Sequence, residues 1–255
     1  MSVIQSVDRA LKLLQLIAAS KDWVGVRDLA RQIGLTPPTT HNLLKTLLQN
    51  SFVEYDSGTR QYRLGLAALR LGEGTNPLSH MKDFARPYLE ALVHELDETV
   101  LALTFMDGKV LVVDWIQADH PLAVNHNRGV IENPVVFASG RVLLSHQSRD
   151  VQIQFAGREN LSRLGPDNPI TLEDFLQLMV DVRAAGFAET YNVTNSGIAA
   201  VGAPVFDSNG QVVMAVGCSA PISRSTAFEV QRARKRLVEV TQLMTQKLGM
   251  KKALA

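Results

Sequence analysis

The chain has 255 residues, a single cysteine (Cys218), few aromatic side chains and no long apolar run. A lone thiol excludes an internal disulfide framework and a cysteine-based zinc cluster, and makes a reducing cytoplasm the expected compartment. Crossing a bilayer takes about 20 consecutive apolar residues, so no membrane partner is expected, and no secretory signal is read ahead of the first helical segment. Histidines stand at 41, 80, 94, 120, 126 and 146, without the i, i+4 pair plus acid of a helical zinc site. Only a convergence of His120 with His126 would leave a metal option. A G-x-S-x-G elbow, a P-loop and a dinucleotide glycine fingerprint are all missing, so neither catalysis nor a cofactor is expected.

What is present is an ordinary globular composition, 46% hydrophobic and 20% charged, with unevenly placed charge. Residues 1–75 carry nine Lys/Arg against six acids, whereas the remainder carries 17 against 19. A modestly basic small domain on a slightly acidic large one suits a nucleic-acid reader, because phosphate attraction supplies most non-specific affinity. The pattern of the first 65 residues makes the same case more sharply. Val7, Ala10, Leu11, Leu14, Ile17 and Ala18 recur at helical spacing, and residues 21–25 punctuate. Val26, Leu29, Ala30 and Ile33 give a short second helix with Gly34 as its left-handed cap. Thr36 is a good N-cap and Pro37 a good first residue for a third helix reaching about Gln49, with Leu43, Leu44 and Leu47 facing inward.

The opposite arc of that third helix is the expected recognition surface. Thr36, Pro38, Thr39, Thr40, His41, Asn42 and Lys45 are its candidate DNA contacts. Asn42 can pair bidentately with an adenine edge, threonines can meet a thymine methyl or a phosphate, and Lys45 suits a phosphate. Strands at 52–55 and 61–64 around Asp56-Ser57-Gly58 form a hairpin, with Arg60 and Arg63 placing positive charge on it. Helix, turn, helix and hairpin without a gap predict a winged helix-turn-helix reader of double-stranded operator DNA.

Residues 66–78 read as a helical linker, and 79–255 as a larger second domain. Strands are expected at 100–106, 110–116, 188–194, 198–206 and 212–219, with a further one at 122–125, and helices at 81–96, 139–146, 171–185 and 226–248. Antiparallel strands with outer helices define an α+β fold. Ala138-Ser139-Gly140 opens an apolar helix, whose first N–H groups suit an anion, with Ser139 as an N-cap.

SVDRALKLLQLIAAS, DLARQIGLTPPTTHNLLKTLLQNSFVEYDSGTRQYRLG, ASGRVLLS and SGIAAVGAPVFDSNGQVVMAVGCSAPISR together resemble the IclR family of bacterial transcription regulators over almost the whole chain. The resemblance implies a GAF-like or profilin-like effector-binding domain, a homo-oligomer (dimer or tetramer) with contacts through the first helix and the linker, and a small-acid site. Carried onto this sequence, that site comprises Ala138, Ser139, Gly140, Thr190, Ala200, Gly217 and Ser219. Two departures stand out. Pro37, Pro38 and Asn42 replace the lysine, serine and arginine often found in the third helix of relatives, so the operator differs from theirs. The stretch 190–195 is neutral where relatives are acidic, which favours a small carboxylate bearing hydroxyls over a cation. The expectation is a ligand-responsive regulator, repressor or activator, of a catabolic operon. Alternatives are a small-molecule-modifying enzyme with an N-terminal interaction module, and a redox sensor acting through Cys218.

Overall fold

The computed structural model describes residues 3–20, 22–73, 77–126, 129–157, 161, 164, 171–193 and 197–253. It divides into two compact units, 1–77 and 78–255. In the first, α1 (Gln5–Ala19), α2 (Val26–Ile33) and α3 (Pro37–Gln49) pack around Leu13, Ile17, Leu29, Leu44 and Leu47. The α2–α3 turn is built as its residues dictate. Gly34 takes φ 69° at the C-cap, and the Thr36 side chain accepts the Thr39 N–H at the N-cap with Pro37 following.

Strands β2 (Val53–Asp56) and β3 (Gln61–Leu64) form the wing, whose turn is held by Asp56 accepting Gly58 N and Thr59 Oγ1. These bonds to the charged form, Thr59 first and then Gly58, hold the Asp56 carboxyl below its ordinary range. A two-residue strand, β1 (Val24–Gly25), completes the sheet beside β3 where sequence suggests only a break. Of the stripe that spacing predicts for α1, Ala10, Leu14 and Ile17 pack into this core, joined by Leu13, whereas Val7 and Leu11 are exposed, as are Val3 and Ile4 just before the helix. Helix α4 (Leu66–Glu73) continues from the wing, with Ala67 N bonded to Ser51 O and Leu66, Leu69 and Leu71 exposed.

The second unit opens with α5 (Pro77–Leu96) and is centred on an antiparallel sheet of six strands. They are β4 (Thr99–Met106), β5 (Lys109–Ile116), β6 (Val130–Ile131), β7 (Ala188–Tyr191), β8 (Ile198–Phe206) and β9 (Val212–Pro221), arranged 6-5-4-9-8-7. Its helices are α5, α6 (Ala138–Ser145), α7 (Arg149–Phe155), α8 (Leu172–Ala185) and α9 (Ala227–Ala253). Both sheet faces are covered, which is why β4, β8 and β9 read as nearly continuous apolar runs. Leu89, Leu92, Leu237, Val240 and Met244 of α5 and α9 meet Val100, Val201 and Val216 on one face. Ala138, Val142 and Leu143 of α6, with Val182 of α8, meet Leu101, Leu103 and Ala215 on the other. This is an α+β unit, as the strand and helix pattern requires. Residues 122–125 are not a strand; the sheet's short edge is β6 instead.

Gly202 of β8 and Gly217 of β9 lie directly opposite each other under the start of α6. A Cβ on Gly202 would come 2.5 Å from Ser139 N, and one on Gly217 3.1 Å from Ser139 Oγ. Gly202→Ala therefore forces backbone apart, and denaturant unfolding should show a loss of about 1–3 kcal/mol. Gly249→Ala in α9, where an added Cβ meets nothing within 4 Å, should instead be neutral or raise stability by up to about 1 kcal/mol.

Candidate functional site

Helix α3 has two chemically distinct sides. Leu44 and Leu47 anchor it inward, and Pro38, Thr39, His41, Asn42, Lys45 and Gln49 are exposed. The hydroxyls of Thr36 and Thr39 bond each other at 2.9 Å, which fixes the helix entry, and His41 Nδ1 lies 3.3 Å from Tyr62 OH of the wing. Thr40 does not belong to this surface. It is fully buried and its hydroxyl donates to Thr36 O at 3.1 Å, because its position one residue past the exposed arc turns it toward the core. Arg63 is likewise engaged, pairing with Glu54 at 2.6 Å across the wing and stacking 4.6 Å over the Trp23 ring. Lys45 and Arg60 take part in no ion pair among the described residues, and Arg60 stands in the exposed turn with φ 57°.

In the second unit, the close seat of α6 organises a cavity. Opposite residues of antiparallel strands point to the same face, so Thr190 (β7), Ala200 (β8), Ser219 (β9) and Thr99 (β4) form one row across the sheet. The next row, Ala188, Gly202, Gly217 and Leu101, lies under α6. Beyond the helix, Thr190, Ala200 and Ser219 of the first row form the floor of a cavity of about 450 Å³, walled by Val124, His126, Ile131, Val136, Phe137 and Ile198. Of the residues expected here, Thr190, Ala200 and Ser219 line this space. Ala138, Ser139, Gly140 and Gly217 do not: they are buried in the contact between α6 and its surroundings. A Cβ at Gly140 would lie 2.1 Å from Pro134 O, so that glycine serves the turn leading into α6. Ser139 is no N-cap either. Phe137 stands at the N-cap and makes no side-chain cap bond.

Arg141 supports the same wall from behind. Its Nε donates to Val135 O at 2.7 Å, holding the turn that presents Val136 and Phe137. Burial pushes its guanidinium down to about 10, still charged near neutral pH. His126 was not foreseen as a cavity residue. It is 8% exposed and its Nε2 lies 3.2 Å from Ser219 Oγ, delivered by the irregular segment that sequence suggests is a strand. Its counterpart in the metal option, His120, contacts Asp97 and lines a different, smaller cavity of about 270 Å³ on the other sheet face. That cavity's charges are already engaged: Glu98 pairs with Arg224, Asp97 with His120, and Arg232 donates to Glu95 O. It offers an entering ligand little that is not satisfied. Among the described residues no group of three or more His, Cys, Asp or Glu could hold a metal. Asn192, in the neutral stretch, has φ 50° and accepts Gly197 N, a loop-building role; Thr194 and Asn195 lie outside the described residues.

A winged helix-turn-helix unit joined to an α+β unit with a largely apolar cavity defines a ligand-responsive DNA-binding transcription regulator. Comparison with known proteins specifies which. Residues 6–57 match the IclR helix-turn-helix domain and residues 78–245 the bacterial transcriptional regulator IclR C-terminal domain, so the chain belongs to the IclR family. It is 29% identical to the glycerol operon regulatory protein of Streptomyces coelicolor, over 87% of this chain and 86% of that one. It is 25% identical to the transcriptional repressor IclR of Escherichia coli, over 96% and 90%. The crystal structure of an IclR homolog complexed with 4-hydroxybenzoate from Microbacterium hydrocarbonoxydans superposes with TM-score 0.82 at 17% identity, covering 95% of this chain and 98% of that one. The last likeness is one of fold. These relatives are regulators, which removes the enzyme reading.

Cys218 closes the redox alternative. It sits in β9, 5% exposed, facing the opposite side of the sheet from Ser219, and desolvation followed by the charge of Glu98 pushes its thiol up to about 12. The thiolate is the reactive species, so native protein should take up no iodoacetamide at about pH 8 while the urea-unfolded chain labels fully. Fast native labelling, followed by mass spectrometry, would reinstate the thiol as a sensor.

Proposed function

We propose that the protein binds a two-fold symmetric operator as a homo-oligomer, and that a small organic acid entering the cavity above Ala200 alters its hold on that DNA. The observation that carries the DNA half is the two-sided α3, whose exposed side gathers short polar groups and a free cation. Pro38, Thr39 and Asn42 meet base edges, whereas Thr36, His41, Lys45 and Arg60 meet the backbone. Thr40 and Arg63 take no part. The exposed apolar residues Val3 and Ile4 before α1, Val7 and Leu11 of α1, and Leu66, Leu69 and Leu71 of α4 form the contact between copies.

The cavity's lining is mainly apolar with a few converging polar groups, as small-molecule sites are. Its hydroxyl and imidazole groups favour an acid carrying hydroxyls or a hydroxylated ring. The homolog bound to 4-hydroxybenzoate and the regulator named for a glycerol operon agree with a ligand of that size and a catabolic operon as the target. Coupling between the sites is the difference in ligand affinity between two reader arrangements, typically about 1–3 kcal/mol.

Lys45→Ala should weaken binding to every duplex and reduce the salt slope of log K by about one, whereas Asn42→Ala should change the preferred base at one position of each half-site. Fluorescence anisotropy over a salt series separates the two; equal slopes for wild type and Lys45→Ala remove Lys45 from the phosphate contacts. Ala200→Leu fills the cavity floor and should abolish the ligand response at unchanged operator affinity. A retained response in the same assay moves the ligand elsewhere.

A further inference from the structure

The segment 118–126 reaches the cavity because β4 holds it there. Thr99 Oγ1 donates to Val124 O at 2.9 Å and accepts Ala118 N at 3.1 Å. Thr99 is the neighbour of Ser219 in the cross-sheet row, so the residue that fixes this segment stands beside the one that His126 contacts. His126 thus enters the cavity from a rigid support, with Ser219 Oγ at one side and the Phe137 ring 6.2 Å away.

The charges around this imidazole are few. Among the described cavity residues Glu132 is the one other titratable group, an exposed carboxylate at the rim. Glu189 of β7 alternates to the opposite face, where it pairs with Arg234, and Cys218 of β9 also faces that side. Glu98, before β4, pairs with Arg224, and Arg141 of α6 is committed to Val135 O behind the wall. No described cation therefore lines the space into which an acid would fit, yet a carboxylate taken out of water against a largely apolar wall is disfavoured without a compensating charge.

We propose that His126 is the anion receptor of this cavity: the acid enters as its carboxylate, and His126 takes one proton from solvent and pairs with it. The inference rests on reading the cavity as an organic-acid site. No bond of the ligand forms or breaks; the balance is one proton moved from solvent to the imidazole. Burial lowers the pKa of His126 in the empty protein, so the ring stands neutral and bonded to Ser219 near neutral pH. An adjacent carboxylate favours the charged ring and raises that value in the complex. Linkage fixes the sign. Affinity for the acid is greatest below the empty-state value, falls as much as tenfold per pH unit between the two values, and is flat above the complex's value. An uncharged ligand of the same shape gains nothing from the proton and shows no such slope.

The test is isothermal titration calorimetry of the full chain near pH 7 in phosphate and in Tris, whose ionisation enthalpies differ. The probes are 4-hydroxybenzoate and glycerate, each beside its uncharged counterpart, 4-hydroxybenzyl alcohol or glycerol. Expected are uptake approaching one proton per bound acid, none with either alcohol, and loss of the uptake in His126→Gln with at least a tenfold lower affinity for the acid at about pH 6. Nitrogen NMR of the wild-type imidazoles needs no variant and should show His126 passing to its charged form on saturation with the acid. Acid binding without proton uptake overturns the proposal, as does uptake that persists in His126→Gln and so belongs to Glu132 or another group. Failure of both acids to bind removes the organic-acid reading itself, and this inference with it.

Discussion

Where β8 and β9 pass under the first turn of α6, Gly202 and Gly217 carry no side chain, and the helix backbone descends onto the sheet until Ser139 N is within 2.5 Å of where a Cβ would be. That contact fixes the geometry of everything above the sheet. The glycine row is filled by backbone, so the next row, Thr190–Ala200–Ser219, is left as open floor. Gly140 and Arg141 extend the same clamp to the turn before the helix, which supplies Val136 and Phe137 as wall. A packing requirement thereby leaves the open floor beside the glycine row, and the loop preceding α6 is held by its contacts with Gly140 and Arg141.

The reader unit obeys a comparable division. Within one turn of α3, Thr40 is buried and bonded to the backbone of its own helix entry, while Thr39 and Asn42 face outward. The core needs the first, leaving the others free for recognition. On the wing, Arg63 spends its charge on Glu54 and Trp23, whereas Arg60 at the tip does not. Charge counted along the chain therefore overstates the charge available to DNA.

Legibility in the sequence followed the range of the interactions. Local chemistry was readable: the Gly34 cap and the Thr36-Pro37 helix start both follow from their own residues. Pairings between distant segments were not. Strand β1 has two residues and exists because β3 offers it an edge. Apolar residues occupy both sides of α1, and spacing alone cannot tell that packing on Leu29 and Leu44 adds Leu13 to Ile17 and leaves Val7 and Leu11 outside. The cavity shows both limits. Thr190, Ala200 and Ser219 follow from the resemblance, and strand register then joins them into one row. His126 has no sequence signal, because its place depends on a hydroxyl of Thr99, more than twenty residues earlier, holding the Val124 carbonyl.

On the proposed reading, α3 meets base edges in duplex DNA as part of a symmetric assembly. Selection of the 255-residue chain against a random duplex library should enrich one motif with two inverted half-sites about one helical turn apart, each altered at a single position when Asn42 is replaced. A library that emerges unenriched, while the protein still binds DNA in proportion to its length, would contradict it.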